Sequence, residues 1–314
     1  MPWIVGLDEA GYGPNLGPLV QAAVAARVPD GVECLWTCLA KGVRRASDPD
    51  DGRLLIDDSK LVYAGPHGLS RLEHGVWSLI GGAPVGDLLA CIACEPTMAE
   101  LASEAWFQPG ESRPIACDVT EITSNGVHYT TALAENAIEF RVVRCMVTPA
   151  PRFNSLLEKW QSKAAVLATG VIELLKELAR LLPEDEPVVF VIDKQGGRNF
   201  YAAMIQTAFS DCWVVPVRES AMCSEYRLDN IDRDVRLVFR PRAEQESLPV
   251  ALASMVAKYL REVFMRQFNR YWLERVPGLQ PTAGYPGDSR RFYKAIRPAM
   301  KELNVPRAAV WRRK

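Results

Sequence analysis

The sequence predicts an α/β fold with a central β-sheet flanked by helices. Two observations support this prediction. Short, fully apolar segments typical of buried strands recur along the chain, and stretches with apolar residues at three- and four-residue spacing lie between them. Of the 314 residues, 48% are hydrophobic and 24% are charged. That balance is typical of a globular protein and excludes a disordered chain, a collagen and a coiled coil.

Six segments are predicted to be strands because each is short, apolar and rich in branched residues. They are residues 3–7, 19–26, 138–147, 188–192, 213–217 and 235–239. Helices are expected from about residue 69 and at 200–209. The clearest helices are 154–182 and 252–270, where apolar residues recur with a helical period. Pro183 ends the first of these two long helices.

The charge of the chain limits the kinds of partner. There are 37 lysines and arginines against 38 aspartates and glutamates, so a globally basic nucleic-acid binder is excluded. A local basic face remains, because cations and the aromatics Phe292, Tyr293 and Trp311 alternate after residue 289. Such a face can follow a duplex backbone. The alternative is a solvated helix and tail. The basic residues are Arg290, Arg291, Lys294, Arg297, Lys301, Arg307, Arg312, Arg313 and Lys314.

No segment has the features of a membrane span or a secretion signal. No apolar run reaches the roughly 18 residues that a transmembrane helix needs. The first residues, Met-Pro-Trp-Ile-Val-Gly-Leu, have neither a basic region nor a cleavage site. We therefore expect a cytoplasmic protein without a membrane partner.

Acidic residues follow two of the predicted strands. Asp8 and Glu9 come after the first strand, and Asp193 follows strand 188–192. Ligands of open α/β sheets bind beyond the carboxyl ends of strands. Adjacent carboxylates repel one another, and a divalent cation would remove that cost. Oxygen ligands select hard cations, here Mg²⁺ or Mn²⁺. The alternative is that these acids are solvated turn residues or helix caps.

The acids stand within a wider set of motifs. Asp8-Glu9-Ala10-Gly11-Tyr12-Gly13-Pro14-Asn15-Leu16-Gly17-Pro18 resembles the opening signature of the ribonuclease HII family, the type 2 ribonucleases H. Further stretches match that family in the same order: Asp58-Ser59-Lys60, Phe153-Asn154, Val191-Ile192-Asp193, the segment 253–262 and Gly284-Tyr285-Pro286.

The resemblance implies an RNase H-like fold and a metal-dependent endoribonuclease. Such enzymes cleave the RNA strand of RNA–DNA hybrids, or ribonucleotides embedded in duplex DNA, and leave a 5′-phosphate. The carboxylates that it assigns to catalysis and to a pair of Mg²⁺ or Mn²⁺ ions are Asp8, Glu9, Asp193 and Glu262. In two-metal sites, one ion generates hydroxide and the other stabilises the leaving oxygen.

The resemblance also implies substrate-binding residues and a domain plan. The substrate-binding residues are Gly11, Tyr12, Gly13, Ser59, Lys60, Lys258 and Tyr285. We expect a catalytic domain at residues 1–285, with insertions near 95–135 and 211–245, and a basic helical segment at 286–314. The partner is nucleic acid, and the chain is expected to be a monomer.

The sequence departs from the family pattern at three places. Glu262 stands where the family usually has Asp, and Tyr12 replaces a common Arg. Thr282, Ala283 and Arg290 stand where histidines often flank the Gly-Tyr-Pro motif. Two alternatives therefore stay open: a nuclease of the same fold that cuts another nucleic acid, or a catalytically silent protein that binds hybrids.

Overall fold

The structure is a computed structural model that describes residues 1–80, 88–109, 116–117, 122 and 126–313. The strands of these residues are β1 (Trp3–Ala10), β2 (Leu19–Arg27), β3 (Val43–Arg44), β4 (Leu54–Leu55), β5 (Glu139–Thr148), β6 (Val188–Asp193), β7 (Trp213–Glu219), β8 (Ser224–Asp229) and β9 (Val235–Arg240). The short strands β3 and β4 pair with each other in parallel.

The helices of the described residues differ widely in length. The first six are α1 (Leu35–Cys38), α2 (Ser59–Tyr63), α3 (Gly68–Ile80), α4 (Leu88–Ile92), α5 (Thr97–Ala102) and α6 (Val127–Glu135). The remainder are α7 (Ala150–Trp160), α8 (Lys163–Leu181), α9 (Ala202–Ala208), α10 (Ala243–Glu246), α11 (Leu248–Leu273), α12 (Pro286–Glu302) and α13 (Arg307–Val310). None of the described helices is both long enough and apolar enough to cross a bilayer.

Seven strands form one mixed sheet in the order β5-β2-β1-β6-β9-β8-β7. Strand β1 lies near its centre, antiparallel to β2 and parallel to β6, with Leu7 opposite Ile192. Strand β6 is in turn parallel to β9, and Asp193 pairs with Arg240. The carboxyl ends of β1, β6 and β9 therefore meet at one edge of the sheet.

Helices cover both faces of this sheet. The long helix α11 packs against β1 and β2 on one face, and α3 packs against α11. On the other face, Val5 and Leu7 of β1 belong to a second apolar cluster together with residues of α8 and α9. The α/β class and the mixed sheet flanked by helices are thus confirmed.

The prediction of one helix over residues 154–182 is wrong. The chain forms two helices there, α7 and α8, which are separated at Gln161 and Ser162. Gln161 has a left-handed backbone with φ of 51°, which ends α7. The Ser162 hydroxyl accepts a hydrogen bond from the Ala165 N–H at 3.4 Å and caps α8. The apolar period continues across this break and therefore conceals it.

Strand β1 is longer than predicted. The glycines and prolines after residue 10 suggested that the turn begins at Asp8, but Asp8 and Glu9 pair with Ala22 and Gln21 of β2. The two acids are therefore part of the sheet. Strand β8 was not predicted at all, because the sequence Ser-Glu-Tyr-Arg-Leu-Asp alternates buried and more exposed residues instead of forming an apolar run.

One of the two expected insertions forms part of the central sheet, and the other contributes side chains to an apolar cluster. Residues 211–245 supply β7, β8 and β9, three strands of the main sheet. In the range 95–135, Trp106 and Tyr129 join the same apolar cluster as α11. Residues 110–115, 118–121 and 123–125 of that range lie outside the described residues. The division of the chain into 1–285 and 286–314 stays a prediction.

Candidate active site

Asp8 occupies the end of β1 on the face that α11 covers. Its Oδ1 accepts a hydrogen bond from the Glu9 N–H at 2.7 Å. Burial raises the pKa of Asp8 well above its ordinary value. Repulsion from Glu9 and Asp193 raises this pKa further, whereas a hydrogen bond from Ser254 lowers it. Ser254 also contacts the Ser59 hydroxyl at 3.0 Å, so it links Asp8 to the start of α2.

Glu9 is coupled to the acid on the neighbouring strand. Burial raises the pKa of Glu9 to about 7, and repulsion from Asp193 adds to this shift. The charge of Lys60 opposes it and lowers the pKa of Glu9. The charge of Asp193 thus raises the pKa of both Asp8 and Glu9, which places the three carboxylates within electrostatic range at this end of the sheet.

Asp193 is held by backbone N–H groups from the segment that follows β9. Its Oδ1 accepts a hydrogen bond from the Ala243 N–H at 3.0 Å. Burial raises the pKa of Asp193, and the N–H groups of Ala243, Arg242 and Lys194 oppose that shift. Arg242 has a left-handed backbone with φ of 57°, so the chain turns sharply where it passes the carboxylate. The Asp193 side chain is therefore fixed from one side.

Glu244 is a further acid at this edge, and our sequence analysis missed it. It is 8% exposed, and burial raises its pKa, with repulsion from Asp193 and Asp58 adding to the shift. Lys60 lowers the pKa of Glu244, as it does for Glu9. The rule that singled out Asp193 also applies here, because Glu244 comes shortly after β9 ends at the same edge.

Glu262 lies among cations on α11. Its Oε1 is 2.6 Å from the Lys258 Nζ and 3.5 Å from Arg261 Nη1. Its Oε2 accepts a hydrogen bond from the Tyr63 hydroxyl at 2.9 Å. Lys258 also lies 4.2 Å above the Tyr63 ring. The structure therefore shows Glu262 and Lys258 paired with each other, and the catalytic role of Glu262 stays a prediction.

The loop after β1 contains two glycines, Gly11 and Gly13, in different surroundings. Gly11 has φ of 91°, and a Cβ atom there would lie 2.6 Å from the Arg261 Nε. Gly13 is exposed and has open space around its Cα. Tyr12 lies between them, and burial followed by the charge of Glu9 raises its pKa. Backbone at Gly13 is thus accessible beside the acids.

The C-terminal segment, residues 307–313, holds this loop in place through hydrogen bonds. The buried Arg312 donates hydrogen bonds to the carbonyl oxygens of Gly11, at 2.6 Å, and Pro14. Its own N–H donates to the Asn15 carbonyl at 2.8 Å. Burial and the nearby charge of Arg261 lower the pKa of Arg312 to about 9. The Arg312 guanidinium thus contacts the backbone of the loop that contains Tyr12.

Three of the other predicted substrate-binding residues, Ser59, Lys60 and Tyr285, differ in their exposure to solvent. Asp58 caps α2 by accepting a hydrogen bond from the Lys60 N–H at 2.9 Å, which leaves Ser59 buried and Lys60 exposed. The side chain of Tyr285 is 47% exposed, and Arg261 lies 5.5 Å from its ring. Asn15 donates to the Gly284 carbonyl at 2.8 Å, so the two loops are joined.

The donor chemistry at this edge fits a hard divalent cation. The candidate ligands are carboxylate oxygens, and burial followed by repulsion from neighbouring carboxylates raises the pKa of Asp8 and Glu9. Among the described residues, no group of three or more histidine, cysteine, aspartate or glutamate side chains is gathered as a metal-binding cluster. The arrangement suits Mg²⁺, which is commonly held by one or two carboxylates together with waters and substrate phosphates.

Comparisons with known proteins give structural similarities only. No protein-family model matches the sequence, and no curated protein is significantly similar to it. The solved structures that resemble the chain include ribonucleases H. Ribonuclease H2 from Pyrococcus horikoshii OT3 is 13% identical, with a TM-score of 0.48, and the alignment covers 98% of this chain and 92% of that one.

Two further structures show the same kind of similarity. Ribonuclease HII from Archaeoglobus fulgidus, solved in complex with PCNA, is 16% identical with a TM-score of 0.42, covering 98% of this chain and 92% of that chain. Bst-RNase HIII, solved in complex with Mn²⁺, is 15% identical with a TM-score of 0.41. That alignment covers 99% of this chain and 65% of the other.

Proposed function

We propose that this chain is a metal-dependent endoribonuclease of the ribonuclease HII type. It hydrolyses the RNA strand of RNA–DNA hybrids, or ribonucleotides embedded in duplex DNA, and leaves a 5′-phosphate. The observation that supports this most is the electrostatic coupling of Asp8, Glu9 and Asp193 at the carboxyl ends of two parallel strands. These three acids belong to motifs that resemble that family. We expect the protein to act as a cytoplasmic monomer.

Each side chain has a role in this proposal. Asp8, Glu9 and Asp193 would hold a pair of divalent cations, with Glu262 or Glu244 as a fourth ligand. Mg²⁺ or Mn²⁺, when bound, supplies an activated water and stabilises the leaving oxygen. The Asp8 carboxylate is held beforehand by the Glu9 N–H and Ser254, and the Asp193 carboxylate by the Ala243 N–H, so these two need little reorganisation when substrate binds.

The residues around the acids would bind the substrate. The backbone of Gly11, Tyr12 and Gly13 would contact the ribose 2′-hydroxyl, the group that distinguishes RNA from DNA. Tyr285 would stack on a sugar or base, and its ring is exposed for this contact. Ser59 and Lys60 would bind a phosphate, and Lys258 would support the site through its pair with Glu262.

A panel of duplexes tests the activity. Three duplexes of one sequence carry, in the same strand, a single ribonucleotide, four ribonucleotides, or none, and each is incubated with Mg²⁺ or Mn²⁺. We expect cleavage of the two ribonucleotide-containing duplexes only, because the 2′-hydroxyl contact positions the scissile phosphate. Mass spectrometry of the products identifies the end that carries the phosphate.

Other results of this panel would support the two alternatives. Equal cutting of the all-DNA duplex would indicate a nuclease that does not read ribose. Tight binding of the ribonucleotide-containing duplexes without cleavage in either metal would indicate a silent binding protein. Either result would reject the ribonuclease H activity.

The fourth carboxylate can be identified by comparing two variants. We expect Glu244→Gln to weaken Mn²⁺ binding and slow cleavage by about 10- to 100-fold, because Glu244 lies close enough to Asp193 for the charge of Asp193 to raise its pKa. We expect a smaller effect from Glu262→Gln, whose carboxylate is already neutralised by Lys258. Calorimetric titration with Mn²⁺ and cleavage rates measure both effects.

The exposed neighbour Glu246 provides the control. It pairs with Arg240 on the surface, so Glu246→Gln should leave both measurements unchanged. A larger loss from Glu262→Gln than from Glu244→Gln would assign the fourth position to Glu262 instead.

A further inference from the structure

A cleft of about 540 Å³ lies beside the glycine-rich loop, between α12 and the C-terminal segment. Its lining includes Asn15 of the loop, Trp311 and the arginines Arg290, Arg307 and Arg313. The whole chain has a net charge of −1, so this group of arginines is a local concentration of positive charge. A cleft of this composition is suited to an anionic ligand.

The three arginines have unused hydrogen-bonding capacity. All three residues are exposed, and the described residues that line the cleft include no acid. Within the described part of the chain, none of their guanidinium groups forms an ion pair or a hydrogen bond with protein. Each guanidinium presents donors in a fork that matches the two oxygens of a phosphodiester.

Arg307 is nevertheless held in place by aromatic rings. Its guanidinium carbon lies 5.5 Å from the Tyr293 ring and 5.5 Å from the Trp311 ring. These two rings meet edge to face, with their centroids 5.2 Å apart. Stacking restricts the guanidinium without consuming its N–H donors, which reduces the entropy lost when an anion binds.

Hydrogen bonds connect the cleft to the loop after β1. Arg312, next to Arg313, donates to the Gly11 carbonyl at 2.6 Å, and Asn15 donates through Nδ2 to the Arg312 carbonyl at 3.3 Å. Asn154 of α7 accepts a hydrogen bond from the Arg313 N–H at 2.8 Å and donates to the Trp311 carbonyl at 2.9 Å. A ligand in the cleft is therefore held at a fixed distance from the loop after Glu9.

We propose that this cleft binds the phosphodiester backbone of the duplex substrate and adds affinity for it. This inference rests on the proposed function. Its three arginines lie on both α12 and the C-terminal segment, a spread that suits successive phosphates rather than one free phosphate ion. Because the contacts are to phosphate, the cleft adds affinity equally for DNA duplexes and ribonucleotide-containing duplexes.

The test is duplex binding by a double variant, Arg307→Gln with Arg313→Gln. Fluorescence anisotropy with a fluorescein-labelled 18-base-pair duplex, without divalent metal, measures the affinity at several salt concentrations. We expect binding to weaken by about 10- to 100-fold for both an all-DNA duplex and one with a single ribonucleotide. The plot of log affinity against log salt should become shallower by about 1.8, for two lost phosphate contacts.

A second double variant is the matched control. Lys176→Gln with Arg180→Gln also removes two positive charges, but from α8 near the start of β6, at the opposite edge of the sheet from Asp193. This control should bind like the wild type. Unchanged affinity and salt dependence in the cleft variant, or an equal loss in the control, would overturn the proposal.

Cleavage separates this proposal from the proposed function. With saturating duplex and Mg²⁺, the cleft variant should keep kcat within about twofold of the wild type while KM rises. A wild type that binds duplexes through the cleft but never cuts them would reject the nuclease activity alone. A nuclease whose cleft variant binds normally would reject the cleft alone.

Discussion

Replacing Asp8 by asparagine should abolish cleavage and at the same time stabilise the fold at pH 8. The loss of a metal ligand should lower the cleavage rate by about 1,000-fold or more. The stability effect follows from the raised pKa of Asp8. Because the folded state binds the Asp8 proton more tightly than the unfolded state, the ionised carboxylate destabilises the fold once the pH exceeds the ordinary pKa of an aspartate. Asparagine removes this penalty and still accepts the hydrogen bond from the Glu9 N–H.

Thermal unfolding with and without metal measures both the gain in stability and the loss of metal binding. Without metal at pH 8, Asp8→Asn should melt above the wild type, and at pH 4 the difference should shrink. Added Mn²⁺ should raise the melting temperature of the wild type, because a ligand that binds only the folded state stabilises it, but it should barely affect the variant.

A surface aspartate supplies the control for Asp8→Asn. Asp211 is exposed in the turn between α9 and β7, so Asp211→Asn should change neither cleavage nor the response to Mn²⁺. An Asp8→Asn protein that cleaves at the wild-type rate would rule out Asp8 as a ligand. A variant less stable than the wild type at pH 8 would show that the cost of burying the ionised Asp8 carboxylate beside other acids is not the dominant effect.

The central parts of two strands and the positions of three acids could be predicted because each depends only on residues that are adjacent in the sequence. Residues 3–7 and 188–192 are apolar runs in the sequence, and both become buried parts of β1 and β6. Once these strands are recognised as parallel neighbours, Asp8 and Asp193 must lie at the same edge. A few adjacent residues therefore contain enough information to locate this part of the candidate site.

The missed features depend on residues far apart in the chain. Glu244 lies near Asp193 because β9 pairs with β6, and the position of β9 cannot be inferred from its own residues. The hydrogen bond from Arg312 to Gly11 joins the two ends of the chain. Strand β8 is polar on one side and is stabilised by its neighbours on both sides, so its own sequence gives little indication of a strand.

Gly6 also contacts residues far along the chain, and replacing it by alanine should strongly destabilise the protein. A Cβ atom at Gly6 would overlap the carbonyl carbon of Pro249 and the nitrogen of Val250, at the start of α11. These atoms are backbone, so no side-chain rotation relieves the overlap and β1 must separate from α11. We expect a loss of more than about 3 kcal/mol in the free energy of unfolding, at or above the usual cost of overpacking a core.

Gly13→Ala isolates this steric effect from the general cost of replacing a glycine. Among the residues that the structure describes, no atom would lie within 4 Å of a Cβ at Gly13, so that variant should unfold within about 0.5 kcal/mol of the wild type. Urea denaturation measures the free energy of unfolding of both variants. If Gly6→Ala does not fold, the soluble yield of the two variants on expression is compared instead. A Gly6→Ala protein as stable as Gly13→Ala would mean that α11 does not lie this close to β1. Because α11 carries Ser254, which hydrogen-bonds Asp8, the position of that carboxylate depends on the same contact.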